Sequence, residues 1–227
     1  MTRPWKTVDS VDTEEGALEL RQRGSREFLI TVAGRVLMNS AASRSEVALA
    51  GVACAEINRR PAPRLLIGGL GMGCTLRAAL DSLPADAQIL VVELNEAVLR
   101  WCRGPLAGLT DRAAADERVE VRIGDVADAI AEAALPGATP FDAILLDLYE
   151  GPHPASQARD HAHYGEPALA RTRAALGANG VLAIWSETPD PAFEHNLNRA
   201  GFAVRCQRPG RGGLRHAIYL ARAMPSR

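Results

Sequence analysis

Apolar and polar residues alternate with a period of two near the start of the chain. Ala17-Leu-Glu-Leu-Arg-Gln-Arg23 and Glu27-Phe-Leu-Ile-Thr-Val32 each keep their apolar side chains on one face, and Arg35-Val-Leu-Met38 resumes after Ala33-Gly34. This alternation predicts half-buried strands, the second and third joined as a hairpin across a two-residue turn and the first lying beside them. Ser43 or Ser45 can then cap a helix through Glu46, Val47, Leu49, Val52 and Ile57 that ends before Pro61.

From residue 64 the rhythm changes. Arg64-Leu-Leu-Ile67, Gln88–Glu93, Arg118–Ile123, Phe141–Asp147 and Gly180–Trp185 are short and nearly continuous apolar runs. Helical spacing fills the gaps between them, through Leu76 and Leu80, from Asn95 through Trp101, through Ile130, and near Pro167–Leu176. A helix after Thr188-Pro-Asp-Pro191 leads to Gly201, and the runs 202–205 and 215–220 close the chain with Arg208–Gly213 as their connection. Strands that are apolar on both faces and alternate with helices predict an α/β fold. The expected architecture is a Rossmann-like, mostly parallel sheet with helices on both faces, preceded by a small N-terminal β-hairpin segment. The expected division is 1–60 for the β-rich segment with its linking helix and 61–227 for the nucleoside-binding domain.

Composition narrows the function classes. The 227 residues carry 26 Lys+Arg against 27 Asp+Glu, a formal net charge of -1, so no basic surface for nucleic acid is expected. The longest apolar runs are too short for a membrane helix, and the first twenty residues hold charges rather than a signal-peptide stretch. Cys54, Cys74, Cys102 and Cys206 are scattered without a C-x-x-C pair, so neither a disulfide framework nor a structural zinc site is expected, and a reducing cytoplasm is the expected setting.

Candidate chemistry gathers at the predicted strand ends. Gly69, Gly71 and Gly73 lie between the first parallel strand and its helix, where glycine lets backbone approach a ligand and aims helix N–H groups at it; tight packing is the plainer explanation. Glu93 ends the next strand about 20 residues on, the place where nucleoside-binding sheets put an acid to accept from ribose hydroxyls. Gly124-Asp125, with Val126 following, comes after the third strand; Asp125 can accept from the exocyclic amine of adenine, cap the next helix, or do both. Asp147 and Glu150 follow the fourth strand, where a carboxylate can hold a cationic amine and take its proton. His153, Asp160, His161 and His163 are read as substrate contacts, proton shuttles or exposed residues ahead of metal ligands, and no metal is expected. Trp185 is either a stacking surface or core.

These pieces together resemble the spermidine synthase (polyamine aminopropyltransferase) family within the class I S-adenosylmethionine-dependent methyltransferase-like fold. Leu66-Ile-Gly-Gly69, Val92-Glu-Leu94, Gly124-Asp125, Phe141-Asp-Ala-Ile-Leu-Leu-Asp147 and Gly180-Val-Leu182 with Glu187 carry the likeness, and residues 17–40 resemble the family's small β-domain. The resemblance implies that Glu93 holds ribose, Asp125 adenine, and Asp147 accepts a proton. It further implies transfer of an aminopropyl group from decarboxylated S-adenosylmethionine to a small-molecule amine acceptor, and a homodimer, since the family's β-domain often sits at a subunit contact. The chain departs from the pattern in two places. Its glycine loop lacks the family's aspartate for the donor's free amine, and the segment after Glu150 holds one acid, one Arg and three His. Two alternatives therefore stay open: a methyltransferase acting on a small molecule with S-adenosylmethionine itself, and a non-catalytic nucleoside-binding module. Glu46 is read either as a further carboxylate of the site or as an ordinary first-turn acid.

Overall fold

A computed structural model describes residues 3–149, 151–153, 156, 158, 160–209 and 216–224. The N-terminal segment is larger than a hairpin. Strands β1 (Lys6–Thr13), β2 (Gly16–Arg23), β3 (Glu27–Val32) and β4 (Arg35–Asn39) form an antiparallel sheet in that order. β1 escaped the pattern because its pairing with β2 shifts between Thr7 and Asp9. The irregularity breaks the alternation, leaving Val8 exposed and Val11 half-buried. The other strands match the expected alternation, with Leu18, Leu20, Phe28, Ile30 and Val32 buried.

Helix α1 (Arg44–Ile57) follows, with Ser43 at its cap position but no side-chain bond from it. The remaining elements are β5 (Arg64–Gly68), α2 (Cys74–Ser82), β6 (Gln88–Glu93), α3 (Glu96–Arg103), β7 (Val119–Ile123), α4 (Val126–Ala133), β8 (Phe141–Leu146), α5 (Glu166–Ala174), β9 (Leu176–Ser186), α6 (Pro191–Arg199), β10 (Phe202–Gln207) and β11 (Ala217–Ala223). Two of the strands outrun their apolar runs. β9 starts before Gly177-Ala-Asn-Gly180, which reads as a turn, because its pairing with β8 skips across that stretch. β11 ends three residues beyond Leu220, paired with β10.

The sheet order is β10-β11-β9-β8-β5-β6-β7, and β11 is the one strand running against the others. Successive residues alternate between its faces. Leu65, Ile67, Val91, Ala143, Leu145 and Ile218 join a core shared with α1, α2, α3 and the buried side of the N-terminal sheet. Leu66, Val92, Ile144, Leu146, Leu182 and Tyr219 join a second core under α4, α5 and α6. Helices on both faces explain why the parallel strands read as continuous apolar runs.

Candidate active site

β5 and β8 are neighbours, with β6 and β7 beyond one and β9 beyond the other, so the strand order reverses between them. A crevice opens at such a switch point, outside the carboxyl ends of the strands. The glycine loop Gly68–Gly73 lies there, and two of its glycines are sterically obligatory. Gly69 has φ of +88°, and a Cβ on it would stand 2.5 Å from the carbonyl oxygen of Asp147. Gly71 has φ of +52°, and a Cβ would stand 2.5 Å from Sδ of Met38 on β4. The N-terminal sheet thus supports the loop. Gly73, also left-handed, starts α2. Leu70 and Met72 are buried, so the loop turns its side chains into the core and its backbone outward.

Glu93 ends β6 and is 8% exposed. Its Oε2 accepts from the Leu70 N–H at 2.8 Å and its Oε1 from the Asn95 N–H at 2.9 Å, so one carboxylate ties the glycine loop to the next turn. Each oxygen keeps a further lone pair for a ligand. Asp125 caps α4, its Oδ1 accepting from the Ala127 N–H at 2.8 Å, and His163 Nε2 lies 2.9 Å from the same oxygen. Burial works to raise the Asp125 carboxyl, but the Ala127 and His163 contacts outweigh it and hold the group below its ordinary value. Val126 is buried, and a Cβ on Gly68 would come within 2.9 Å of its Cγ2, so its side chain packs beneath the loop and only its backbone faces the crevice. Leu94 and Ile123, beside these acids, are exposed apolar residues that the sequence analysis passed over; their position directly at Glu93 and Gly124 was the available signal.

Asp147 follows the last residue of β8 and donates its own N–H to the Gly68 carbonyl at 2.9 Å. Its side chain is half-buried and accepts a short hydrogen bond from Thr75 Oγ1 at the start of α2. Loss of hydration pushes this carboxyl up to about 7; the Thr75 bond opposes the rise and the charge of Glu46 on α1 adds to it. Asp147 is therefore poised to exchange a proton near neutrality. Glu150 lies outside the described residues.

The histidines do not converge on a metal. Among the described residues no group of three or more His, Cys, Asp or Glu could hold one. His161 stacks on the buried Tyr164 at 5.5 Å and accepts from the His163 N–H at 3.3 Å, while His163 reaches Asp125. Burial, with His163 and His153 nearby, holds the His161 imidazole below its usual value. The cysteines are free thiols; burial pushes Cys54 and Cys102 up to about 12 and Cys74 to about 11, so none is a ready nucleophile. Trp185 ends β9 half-buried, its ring edge-on to His216 at 5.0 Å. Its Nε1 is buried without a hydrogen-bond partner. His216, just before β11, had no signal in the sequence, because only the reversal of that strand brings its start to this rim.

Comparison with known proteins was made with this geometry in hand. No family model and no curated protein matches the sequence. Solved structures do match. A spermidine synthase in complex with the transition-state analogue AdoDATO superposes with a TM-score of 0.74 at 18% identity, over 96% of this chain and 73% of that one. The fold is that of the spermidine synthases. The enzyme of this name from Thermotoga maritima gives a TM-score of 0.71 at 18% identity, over 96% and 72% of the two chains. Human methyltransferase-like protein 13, in complex with SAH, gives 0.59 at 20% identity over 81% of each, which fits the broader methyltransferase-like fold. Among the described residues no helix is long and apolar enough to cross a membrane.

Proposed function

We propose that this protein is a transferase using an adenosyl sulfonium donor, of the aminopropyltransferase type, acting on a small-molecule amine. The observation that carries the reading is Asp147. It is an acid at the strand-order reversal whose carboxyl is raised to about 7, one strand from Glu93 and two from Asp125. In this reading Glu93 accepts from the ribose hydroxyls through the lone pairs its backbone bonds leave over. Asp125 accepts from the adenine amine, with Leu94 and Ile123 as apolar walls for the base. The backbone of Gly69, Gly71 and Gly73 borders the sulfonium end.

The chemistry needs little more than orientation and a proton acceptor. Asp147 takes a proton from the acceptor ammonium, and the freed lone pair attacks the carbon next to sulfur. The new C–N bond forms as the C–S bond breaks, the electron pair of that bond goes to sulfur, and the sulfonium leaves as a neutral thioether. The testing experiment is a mass-spectrometric product scan that offers decarboxylated S-adenosylmethionine and S-adenosylmethionine, each against a panel of amines. An aminopropylated amine with methylthioadenosine supports the reading; no product from any pairing overturns it and leaves a non-catalytic nucleoside-binding module.

One observation favours a second reading, methyl transfer from S-adenosylmethionine. The loop between Gly69 and Gly73 offers no carboxylate to a donor's free amine, and its two side chains, Leu70 and Met72, are buried. Titration calorimetry with the two donors separates the readings, since aminopropyl transfer requires tighter binding of the decarboxylated one.

A further inference from the structure

On the far side of Asp147 from Glu93, the first turns of α1 and α2 lie together. Thr75 of α2 donates to Asp147, and Cys74 beside it senses the charges of both Asp147 and Glu46. Glu46 is held in place. Ser45 Oγ donates to its Oε2 at 2.7 Å, and the same hydroxyl stands 3.2 Å from His216 Nδ1. With the Ser45 proton spent on Glu46, the His216 contact requires the proton on Nδ1, which fixes its tautomer. The His216 ring in turn meets Trp185. Pairing of Ile218 with Trp185 puts His216, two residues earlier, on the same face of the sheet.

This chain of contacts joins α1, β11 and β9 over the end of β8 and presents two carboxylates. Among the described residues no Lys or Arg pairs with Glu46 or Asp147; their only hydrogen-bond donors are Ser45 and Thr75. Two half-buried acids that raise one another are relieved by one shared positive charge. The rest of this side is not built for a second. The segment 151–164 carries three His and one Arg against one acid. The guanidinium of Arg35 already covers the ring of Tyr149 at 4.9 Å, a face on which another ammonium would otherwise stack.

We propose that Glu46 is the second carboxylate of the acceptor site, and that the acceptor is a primary monoamine whose single ammonium lies between Glu46 and Asp147, its uncharged alkyl stem running along Trp185 and His216. The inference rests on the transferase reading and narrows its substrate class to one without a second cationic end.

The test is calorimetry on the full chain, first with methylthioadenosine alone and then with butylamine or 1,4-diaminobutane added to the nucleoside complex. Butylamine is expected to bind at least tenfold more tightly than the diamine. Glu46→Gln is expected to weaken butylamine at least tenfold and leave the nucleoside affinity and melting temperature unchanged, with Glu46→Asp recovering part of the loss. Equal or tighter binding of the diamine overturns the monoamine assignment, and normal butylamine binding by Glu46→Gln overturns the role of Glu46; in both cases the transferase reading stands. Failure of the wild-type protein to bind the nucleoside overturns both. A variant that loses nucleoside binding too is replaced by Glu46→Asp and Ser45→Ala, and butylamine binding unchanged in these overturns the role as well.

Discussion

The two halves of the crevice satisfy their acids in different ways. On the side of β6 and β7, Glu93 and Asp125 accept from backbone N–H groups of the very loops they shape. They are structural before any ligand arrives, and a nucleoside would use lone pairs left over. On the side of β8 and β9, Asp147 and Glu46 have one hydroxyl donor each and press on one another, and the indole N–H of Trp185 has no partner. The first half is complete as folded. The second is complete only with a cation in it, which is the condition for changing acceptor chemistry without disturbing the nucleoside pocket.

That contrast breaks most directly at Asp147. Asp147→Asn should lower turnover by about 10²–10⁴-fold, the usual contribution of a general base. Nucleoside affinity, measured by calorimetry, should stay within about twofold, less than the loss of one neutral hydrogen bond would produce. A variant that also loses the nucleoside would show the halves to be one unit. The same group sets the pH dependence. Asp147 must be ionised to accept a proton, and its carboxyl stands at about 7, so single-turnover rates should rise with pH and level off above that value. Glu93→Gln is next in size. Removing an ionised acceptor costs about 1.5–3 kcal/mol, so donor affinity should fall by at least about tenfold. Because Leu70 and Asn95 depend on the same carboxylate, the melting temperature should fall with it.

Smaller effects sharpen the comparison. Glu46→Gln removes the negative charge that raises Asp147, so the acidic limb of the rate profile should move to lower pH. Besides Glu46, the titratable neighbours acting on Asp147 are Cys74 at the start of α2 and Tyr164 ahead of α5, both uncharged at neutral pH because burial raises them. A limb that stays in place would mean that Glu46 does not act on Asp147. His163→Gln should be the mildest. The pair with Asp125 is partly exposed, and such contacts contribute about 0–1 kcal/mol, so nucleoside affinity should change by no more than about fivefold. A larger loss would make the histidine segment part of the nucleoside pocket.

How much of this was legible before folding follows the same line. Glu93, Asp125 and Asp147 sit where strand runs end, and periodicity alone locates those ends. Sequence reading therefore placed all three at the crevice, together with the glycine loop between β5 and α2. It also found α1, whose apolar spacing is plain. What it missed depends on partners distant in the chain. β1 is polar and irregular, and its place is set by pairing with β2. The link from Ser45 to His216 spans 171 positions, and no local pattern foretells it. The loop glycines were read as room for a ligand; the structure adds that Gly69 and Gly71 first make room for Asp147 and Met38. Val126 was grouped with the ligand residues by its neighbour, yet its side chain belongs to the packing under Gly68. The fold was legible because burial on two faces writes continuous apolar runs. The acceptor side was less so, because side chains from three separate regions compose it.

The reversed strand has a consequence of its own. Parallel strands deliver their last residues to the crevice, but β11, running the other way, delivers the residue that precedes it. The histidine that steadies Glu46 is thus governed by alignment rather than by strand length. A slip of one position against β9 would send His216 through to the opposite face of the sheet. Insertions after Ala223 should consequently be silent at the reacting centre, whereas a single residue gained or lost between Gln207 and Ala217 should be felt there at once.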